Sequence, residues 1–353
     1  MVKNSIEIIF VQLGNDKAHH LIGNIELIKK ILPKTKINCV VSEDSQLLKK
    51  LPSDVDIFIY KPTEEINNLF EHKIANVSFR TGFWRYSIER LLAINIVHGL
   101  RPKSSLIHIE SDVLLLPGFP LDNFEKLVKI HWLASSINSD IASLIYFPDQ
   151  KLTEDFTNDM MNYIELDSNP TDMKALINLR RKYPSKYGLL PSTNSNFPKL
   201  ETFPSGVNNE GFSPNGIFDA ASIGMWLTGI DPRNGYGFTN YFATNKLMES
   251  KFFVNPSAYP LGYMPGQGLY FTDGTEKLQV YNLHIHSKSK KIFSPNFSQE
   301  IEKLVKLSHK KRKFAKLNFR VLLRLLISNY SNKTLLEYLY NSPAFSYFKN
   351  LRR

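Results

Sequence analysis

The first 116 residues alternate between strand and helix patterns, and this alternation constrains the fold more than any other feature of the sequence. Short apolar runs are separated by stretches whose apolar residues recur three and four positions apart. The predicted strands are 6–13, 37–42, 56–60 and 106–116, and the predicted helices are 19–32, 44–50 and 83–99. Strands that alternate with helices usually form a parallel sheet with crossover helices on its faces. The sequence therefore predicts an α/β fold.

The positive charge of the chain is concentrated in its C-terminal region. The 353 residues carry a formal net charge of +11, and residues 289–353 contain 15 Lys and Arg against 3 Asp and Glu. Residues 1–288 are therefore close to neutral, and no nucleic-acid recognition module accompanies the tail, which argues against nucleic acid as a partner. The length suits one large domain, predicted at 1–288, with a basic helical appendage at 289–353.

Cysteine content and hydropathy indicate the compartment. Cys39 is the single cysteine of the sequence, which excludes an intramolecular disulfide and a cysteine-based zinc site. The N-terminal apolar run contains Glu7 and lacks a cleavage site with small residues, so it is interpreted as a strand and not as a signal peptide. No window approaches the roughly 20 apolar residues of a membrane span. These features predict a cytoplasmic protein.

Two carboxylates two residues apart mark the end of the fourth predicted strand. Glu110 and Asp112 interrupt the apolar run 106–116, and Pro117 and Gly118 follow it. Alternation in a strand places residues i and i+2 on the same face. Paired carboxylates together with substrate phosphates are the usual ligands of Mg²⁺ or Mn²⁺, although an acidic, solvated strand end has the same pattern. The carboxyl ends of parallel strands are where α/β sheets bind ligands, and this position favours the metal interpretation.

The second half is less regular. Strands are predicted at 131–137 and 141–147 and helices at 153–166 and 171–183. Residues 184–216 are rich in Pro, Ser, Asn and Gly and lack periodicity, which is typical of a mobile loop near a site or of a plain surface excursion.

Five further residues are candidates for site chemistry. Asp219 precedes a short helix, where a carboxylate either caps free amides or faces a ligand. Asp231 lies in a turn sequence, and a substrate role is its minority interpretation. His284 and His286 fall on one face of a predicted strand, where either can bind Mn²⁺, and Lys288 is spaced to meet a phosphate.

The order of these features resembles that of GT-A-fold glycosyltransferases of the bacterial type. These enzymes transfer a sugar from a nucleotide-diphosphate donor, and the resemblance covers about residues 5–288. It implies a Rossmann-like mixed sheet flanked by helices, Mn²⁺ or Mg²⁺ as cofactor, and a nucleotide sugar as donor. The implied reaction is transfer of a hexosyl-type sugar to a glycan or lipid-linked acceptor in cell-surface polysaccharide synthesis.

The resemblance also implies roles for individual residues. Glu110-Ser111-Asp112 matches the Asp-any-Asp motif with Glu in the first position, so Asp112 would bind the metal and Glu110 the metal or the donor ribose. Late in the chain, His286 or His284 would complete the metal site, and Lys288 would neutralise the leaving diphosphate. The other implied assignments are Arg90 near the donor, Leu13, Gly14 and Asn15 near the nucleotide base, and Asp219 or, second, Asp231 as the catalytic base.

Other functions remain open from the sequence. The tail 289–353 mixes basic runs with apolar residues, and it is predicted either to lie on an anionic membrane surface or to pack on the body with a solvated basic face. The alternatives to a transferase are a non-catalytic α/β module that binds membrane or protein through this tail and a metal-dependent nucleotidyltransferase.

Overall fold

The computed structural model describes most of the first 192 residues and shorter stretches after them. The described residues are 5–14, 19–73, 82–136, 138–192, 212, 216–229, 254, 256, 259–272, 274–287, 289 and 291–311. The predicted site residues Asn15, Asp231 and Lys288 lie outside them.

Seven helices and thirteen strands are present in this part of the chain. The helices are α1 (His19–Ile31), α2 (Glu64–Lys73), α3 (Phe83–Leu100), α4 (Gln150–Leu166), α5 (Asp172–Lys182), α6 (Ser222–Thr228) and α7 (Phe297–Lys311). The strands are β1 (Ile6–Gln12), β2 (Ile37–Ser42), β3 (Asp56–Tyr60), β4 (Ser105–Ile109), β5 (Val113–Leu115), β6 (Ile130–Ser136), β7 (Ser139–Phe147), β8 (Tyr187–Leu189), β9 (Gly216–Ile217), β10 (Leu261–Met264), β11 (Gly268–Thr272), β12 (Lys277–Val280) and β13 (Asn282–His284).

The central feature is a seven-stranded sheet of order β3-β2-β1-β4-β7-β6-β8. Strands β1 to β4 pair in parallel, and β7 runs antiparallel to both of its neighbours. The prediction of a mixed sheet flanked by helices is therefore confirmed. The inner strands are apolar because both faces are covered. On β1, Ile9 packs in the core with α3, while Ile8 packs in the core with α1 on the opposite face.

The first residues of the predicted loop 184–216 form a strand of this sheet. Strand β8 pairs in parallel with β6, and Leu190 N donates to Trp132 O at 2.8 Å. Three residues are too few to show a periodicity, so the sequence could not reveal the strand. Residues 193–211 and 213–215 are outside the described part of the chain, and the loop prediction for them stays a prediction.

Two smaller sheets continue the fold beyond the main one. Strand β13 pairs antiparallel with β5, and β10-β11-β12-β9 form a four-stranded sheet. A third apolar core lies between these strands and α6 and α7, and it includes Phe293 and Ile301. The core therefore extends past residue 288, and the first part of the tail packs on the body, as one of its two interpretations predicted.

No helix among the described residues is long and apolar enough to cross a membrane. Residues 312–353, which carry much of the tail's basic charge, lie outside the description, and membrane-surface binding stays a prediction.

Candidate functional site

The acidic pair lies in a turn between β4 and β5. Strand β4 ends at Ile109, and the Val113 amide donates to the Glu110 carbonyl oxygen at 2.9 Å. Strand alternation was therefore the wrong reason for placing both carboxylates on one side, because the chain leaves the strand at this point. The turn still directs both side chains to one place, beside the same histidine.

Side chains of helix α1 hold this turn in place through hydrogen bonds. Asn24 Nδ2 donates to the carbonyl oxygens of Ser111 at 3.1 Å and Val113 at 2.8 Å, and His20 Nε2 lies 3.0 Å from Ser111 Oγ. Neither supporting residue was predicted from the sequence. Their only sequence signal is that they are polar residues on the apolar face of an amphipathic helix. That signal does not reveal that Asn24 bonds to a residue 87 positions away.

His284 reaches the pair because β13 is hydrogen-bonded to β5. In this register His284 is opposite Val113, and Ile285 N donates to Asp112 O at 2.8 Å. His284 Nε2 is 3.2 Å from Glu110 Oε2 and 3.6 Å from Asp112 Oδ1. One ligand atom from each of the three residues lies within 4.8 Å of the others. The strand ladder thus assembles a candidate metal site from positions far apart in sequence.

The other ring nitrogen of His284 is held by the backbone. Nδ1 is 2.8 Å from the Ala220 carbonyl oxygen, which can only accept, so Nδ1 carries the hydrogen. This bond turns Nε2 towards the carboxylates, which is the support that metal-binding histidines usually have, and a metal bound there would replace the proton on Nε2. The ring of His286 contacts that of His284 at a tilt of 32°, with centroids 4.1 Å apart, and His286 is not one of the three clustered residues. Of the two predicted histidines, the structure therefore favours His284 as the ligand.

Two carboxylates flank the imidazole of His284. Burial lowers the pKa of His284, but the charge of Asp112 and the contact with Glu110 more than offset it and raise that pKa to about 9. Burial raises the pKa of Glu110, yet Arg90 and His284 hold it well below its usual value. Both shifts show that the pocket stabilises positive charge between two carboxylates. Two carboxylates and an imidazole nitrogen are suitable ligands for a divalent metal.

Arg90 lies partly buried behind the acidic turn. It forms ion pairs with Glu110 Oε1 and, at 2.9 Å, with Asp172 Oδ2 at the start of α5. The prediction placed Arg90 near the donor, and the structure brings it to the metal candidates, where both of its neighbours are carboxylates. Asp172 was missed, because its sequence context, directly after Thr171, indicates only the beginning of a helix.

Asp219 caps α6. Its Oδ1 accepts from Ile223 N at 2.9 Å, and its Oδ2 accepts from Gly224 N at 2.7 Å and from His284 N at 3.1 Å. These bonds confirm the capping interpretation, and they tie α6 to the metal-candidate histidine. The catalytic-base role of Asp219 stays a prediction, and its oxygens are already occupied by three amides.

A cleft of about 580 Å³ opens at the ends of the first three strands. Its lining includes Leu13, Ser42 and Tyr60, which follow or end β1, β2 and β3, together with Arg85, Tyr86 and Glu89 of α3. Gly14 N donates to Ser42 Oγ at 3.0 Å, so the predicted base-contacting residues Leu13 and Gly14 lie at this cleft. Glu89 lines the cleft and its neighbour Arg90 contacts Glu110, which makes α3 the link between cleft and metal candidates.

No protein-family model matches the chain, and a search of curated proteins found no match. Solved structures similar to it are glycosyltransferases. The galactosyltransferase LgtC, in complex with donor and acceptor sugar analogues, is 8% identical with a TM-score of 0.39 over 56% of this chain and 80% of that chain. Mouse xyloside xylosyltransferase 1 is 9% identical with a TM-score of 0.36 over 53% and 85%, and the PaToxG glycosyltransferase is 14% identical with a TM-score of 0.34 over 52% and 70%. These TM-scores describe a partial likeness, so the function is assigned from the site residues alone.

Proposed function

We propose that the chain is a metal-dependent glycosyltransferase that takes a sugar from a nucleoside diphosphate donor. The observation that carries this proposal is the Glu110–Asp112–His284 cluster, which lies at the end of β4 beside a cleft formed by the ends of the other parallel strands. A divalent metal held by two carboxylates and an imidazole keeps open positions, and diphosphate oxygens are ligands that can fill them. A nucleoside fits the neighbouring cleft.

The donor is proposed to lie along α3. Its nucleoside would occupy the cleft, where Tyr86 offers an aromatic ring and Glu43 and Asp44 offer carboxylates for ribose hydroxyls. Its diphosphate would reach the cluster near Arg90. A ligand at this edge follows the general rule for open α/β sheets.

Transfer breaks the bond between the anomeric carbon and the diphosphate oxygen, and the electron pair leaves with the diphosphate. Asp112, Glu110 and His284 would hold Mn²⁺ or Mg²⁺, and the imidazole favours Mn²⁺ of the two. When bound, the ion would stabilise the negative charge that develops on the leaving diphosphate. Lys288 is proposed to add a positive charge there.

The acceptor hydroxyl needs a base if the transfer inverts the anomeric centre. Asp231 is proposed for this role in preference to Asp219, because both oxygens of Asp219 accept backbone amides. The proposed acceptor is a glycan or lipid-linked saccharide, and residues 289–353 are proposed to help it by binding an anionic membrane surface. Vesicle co-sedimentation tests this last proposal.

A thermal-shift panel tests donor binding. Nucleoside diphosphate sugars are added to the full chain with Mn²⁺, and again with EDTA. One donor is expected to stabilise the protein by about 2.7 kcal/mol at 100 times its Kd, because it binds only the folded state, and EDTA should remove most of that gain. Stabilisation by no donor contradicts the proposal.

Gly14→Ala is expected to weaken nucleoside diphosphate binding by about tenfold, or about 1.4 kcal/mol. Gly14 has φ +75°, and a Cβ there would lie 2.7 Å from the ring of Tyr86, which lines the cleft. Isothermal titration with and without Mn²⁺ measures the effect.

The matched control for Gly14 is Gly266→Ala. Gly266 has a similar φ of +79° but no neighbour within 4 Å of an added Cβ, so it carries the same backbone strain away from the cleft. Equal losses of nucleotide affinity in both variants would exclude the assignment of the cleft.

A further inference from the structure

Asp172 begins α5 and turns its carboxylate inward towards α3. Its Oδ1 accepts from Met173 N at 2.9 Å, and its Oδ2 is 2.9 Å from Arg90 Nη2. The side chains of Asp172 and Arg90 are 11% and 18% exposed. A carboxylate this far from solvent needs a fixed partner, and Arg90 is that partner.

Arg90 is shared between two carboxylates. The same Nη2 atom that meets Asp172 also meets Glu110 Oε1. Glu110 is therefore held through one oxygen, while its other oxygen, Oε2, lies 3.2 Å from His284 Nε2. The connection runs from α5 through α3 to the acidic turn, and it ends at the oxygen that faces the metal candidates.

We propose that Asp172 is a positioning residue for the metal site, acting through Arg90 to set the orientation and the available charge of Glu110. This inference rests on the proposed function, because it assumes that the cluster binds a divalent metal. Asp172 itself contacts Arg90 and not the three clustered residues.

The charge of the Arg90 guanidinium explains why loss of Asp172 should weaken metal binding. With both carboxylates present, Arg90 divides its attraction between Asp172 and Glu110. Without Asp172, the guanidinium would pair with Glu110 alone, draw it away from His284 and neutralise more of its charge. The metal would then meet a weaker and misoriented ligand. Residues that orient metal ligands typically change metal affinity by about 10–100-fold when replaced.

The test is the affinity of the full chain for Mn²⁺ in the absence of any donor, measured by the electron paramagnetic resonance signal of free Mn²⁺. Asp172→Asn is expected to raise the Kd by about tenfold or more. Asparagine keeps the size of the side chain and an oxygen for Met173 N. It presents its NH2 group to Arg90, and because both groups are donors, the hydrogen bond is lost.

Asp140→Asn is the matched control. Asp140, on β7, is also a buried aspartate that pairs with an arginine. Its oxygens lie 2.8 and 2.9 Å from Nε and Nη2 of Arg180, which belongs to α5 as Asp172 does. Both variants should lower the urea midpoint of unfolding, because each leaves a partly buried guanidinium short of a partner. Only Asp172→Asn should change the Kd for Mn²⁺, so a fall in stability alone cannot imitate the predicted result.

A double-mutant cycle tests the route through Arg90. In the Arg90→Gln background, Asp172→Asn is expected to change the Kd less than about twofold, because the connection is already broken. An equal effect in both backgrounds would show that Asp172 acts only as a distant charge, and it would overturn the inference. Asp172→Glu, which keeps the charge but lengthens the side chain, is expected to give an intermediate Kd and serves as the second variant if the asparagine variant does not fold.

The two levels of the proposal fail differently. Wild-type protein that binds no divalent metal contradicts the proposed function. Wild-type protein that binds Mn²⁺ while Asp172→Asn binds it equally well contradicts only the positioning role.

Discussion

Asp112→Asn is expected to abolish Mn²⁺-dependent turnover and to weaken Mn²⁺ binding more than about 100-fold, since even indirect supports of a ligand are worth about 10–100-fold. The substitution keeps the volume of the side chain and removes the charge next to His284, 3.6 Å away. The charge of Asp112 also raises the pKa of His284, so the variant loses part of the field that attracts cations. Titration with Mn²⁺ and a donor-turnover assay measure the two effects.

Asp122→Asn is the control for Asp112→Asn. Asp122 is exposed, in a short 3-10 helix (Leu121–Lys126) that follows the same region of the chain, and it should behave as wild type in both measurements. Full Mn²⁺ affinity in Asp112→Asn would mean that the acidic turn is only structural, as in the non-catalytic interpretation.

Gly224→Ala is expected to destabilise the protein by about 3 kcal/mol or more and to disrupt metal binding as well. Gly224 lies in α6 where the helix approaches the backbone of His284. An added Cβ would be 2.0 Å from the carbonyl oxygen of His284 and 2.6 Å from its carbonyl carbon. Backbone cannot rotate away, so the helix or β13 must move, and both support the histidine. Urea denaturation and Mn²⁺ titration measure the two losses.

Gly99→Ala is the comparison for Gly224→Ala. Gly99 is near the end of α3, and nothing lies within 4 Å of an added Cβ. Alanine should stabilise the helix there by about 0.5–1 kcal/mol through its higher helix propensity. If Gly224→Ala proves as harmless as Gly99→Ala, then α6 is not packed against β13 as closely as described.

The sequence was most informative where structure is local. Strands β1 to β4 and helices α1 and α3 were predicted because apolar periodicity repeats within each element. The placement of the acidic pair at the edge of the sheet followed from that order. Turn geometry was not foreseeable from alternation, because the chain leaves the strand between Ile109 and Val113.

Long-range pairing limited what could be predicted of the site. Two histidines were candidates, and the choice of His284 depends on the register in which β13 pairs with β5. Asp172 and Asn24 support the turn from helices 62 and 86 residues away from Glu110, and only the folded packing brings them there. Asp219 was predicted both as a cap and as a catalytic base; three amide bonds confirm the cap, and the catalytic role stays a prediction.

The most direct test of metal-dependent sugar transfer is turnover of the donor. Wild-type protein is incubated with a panel of nucleoside diphosphate sugars and with nucleoside triphosphates plus sugar phosphates, each with Mn²⁺ or with EDTA. We expect release of a nucleoside diphosphate from at least one sugar donor, dependent on Mn²⁺ and abolished by EDTA. Release of pyrophosphate from a triphosphate would instead identify a nucleotidyltransferase, and no turnover of any donor, or turnover that EDTA leaves unchanged, would contradict a metal-dependent glycosyltransferase.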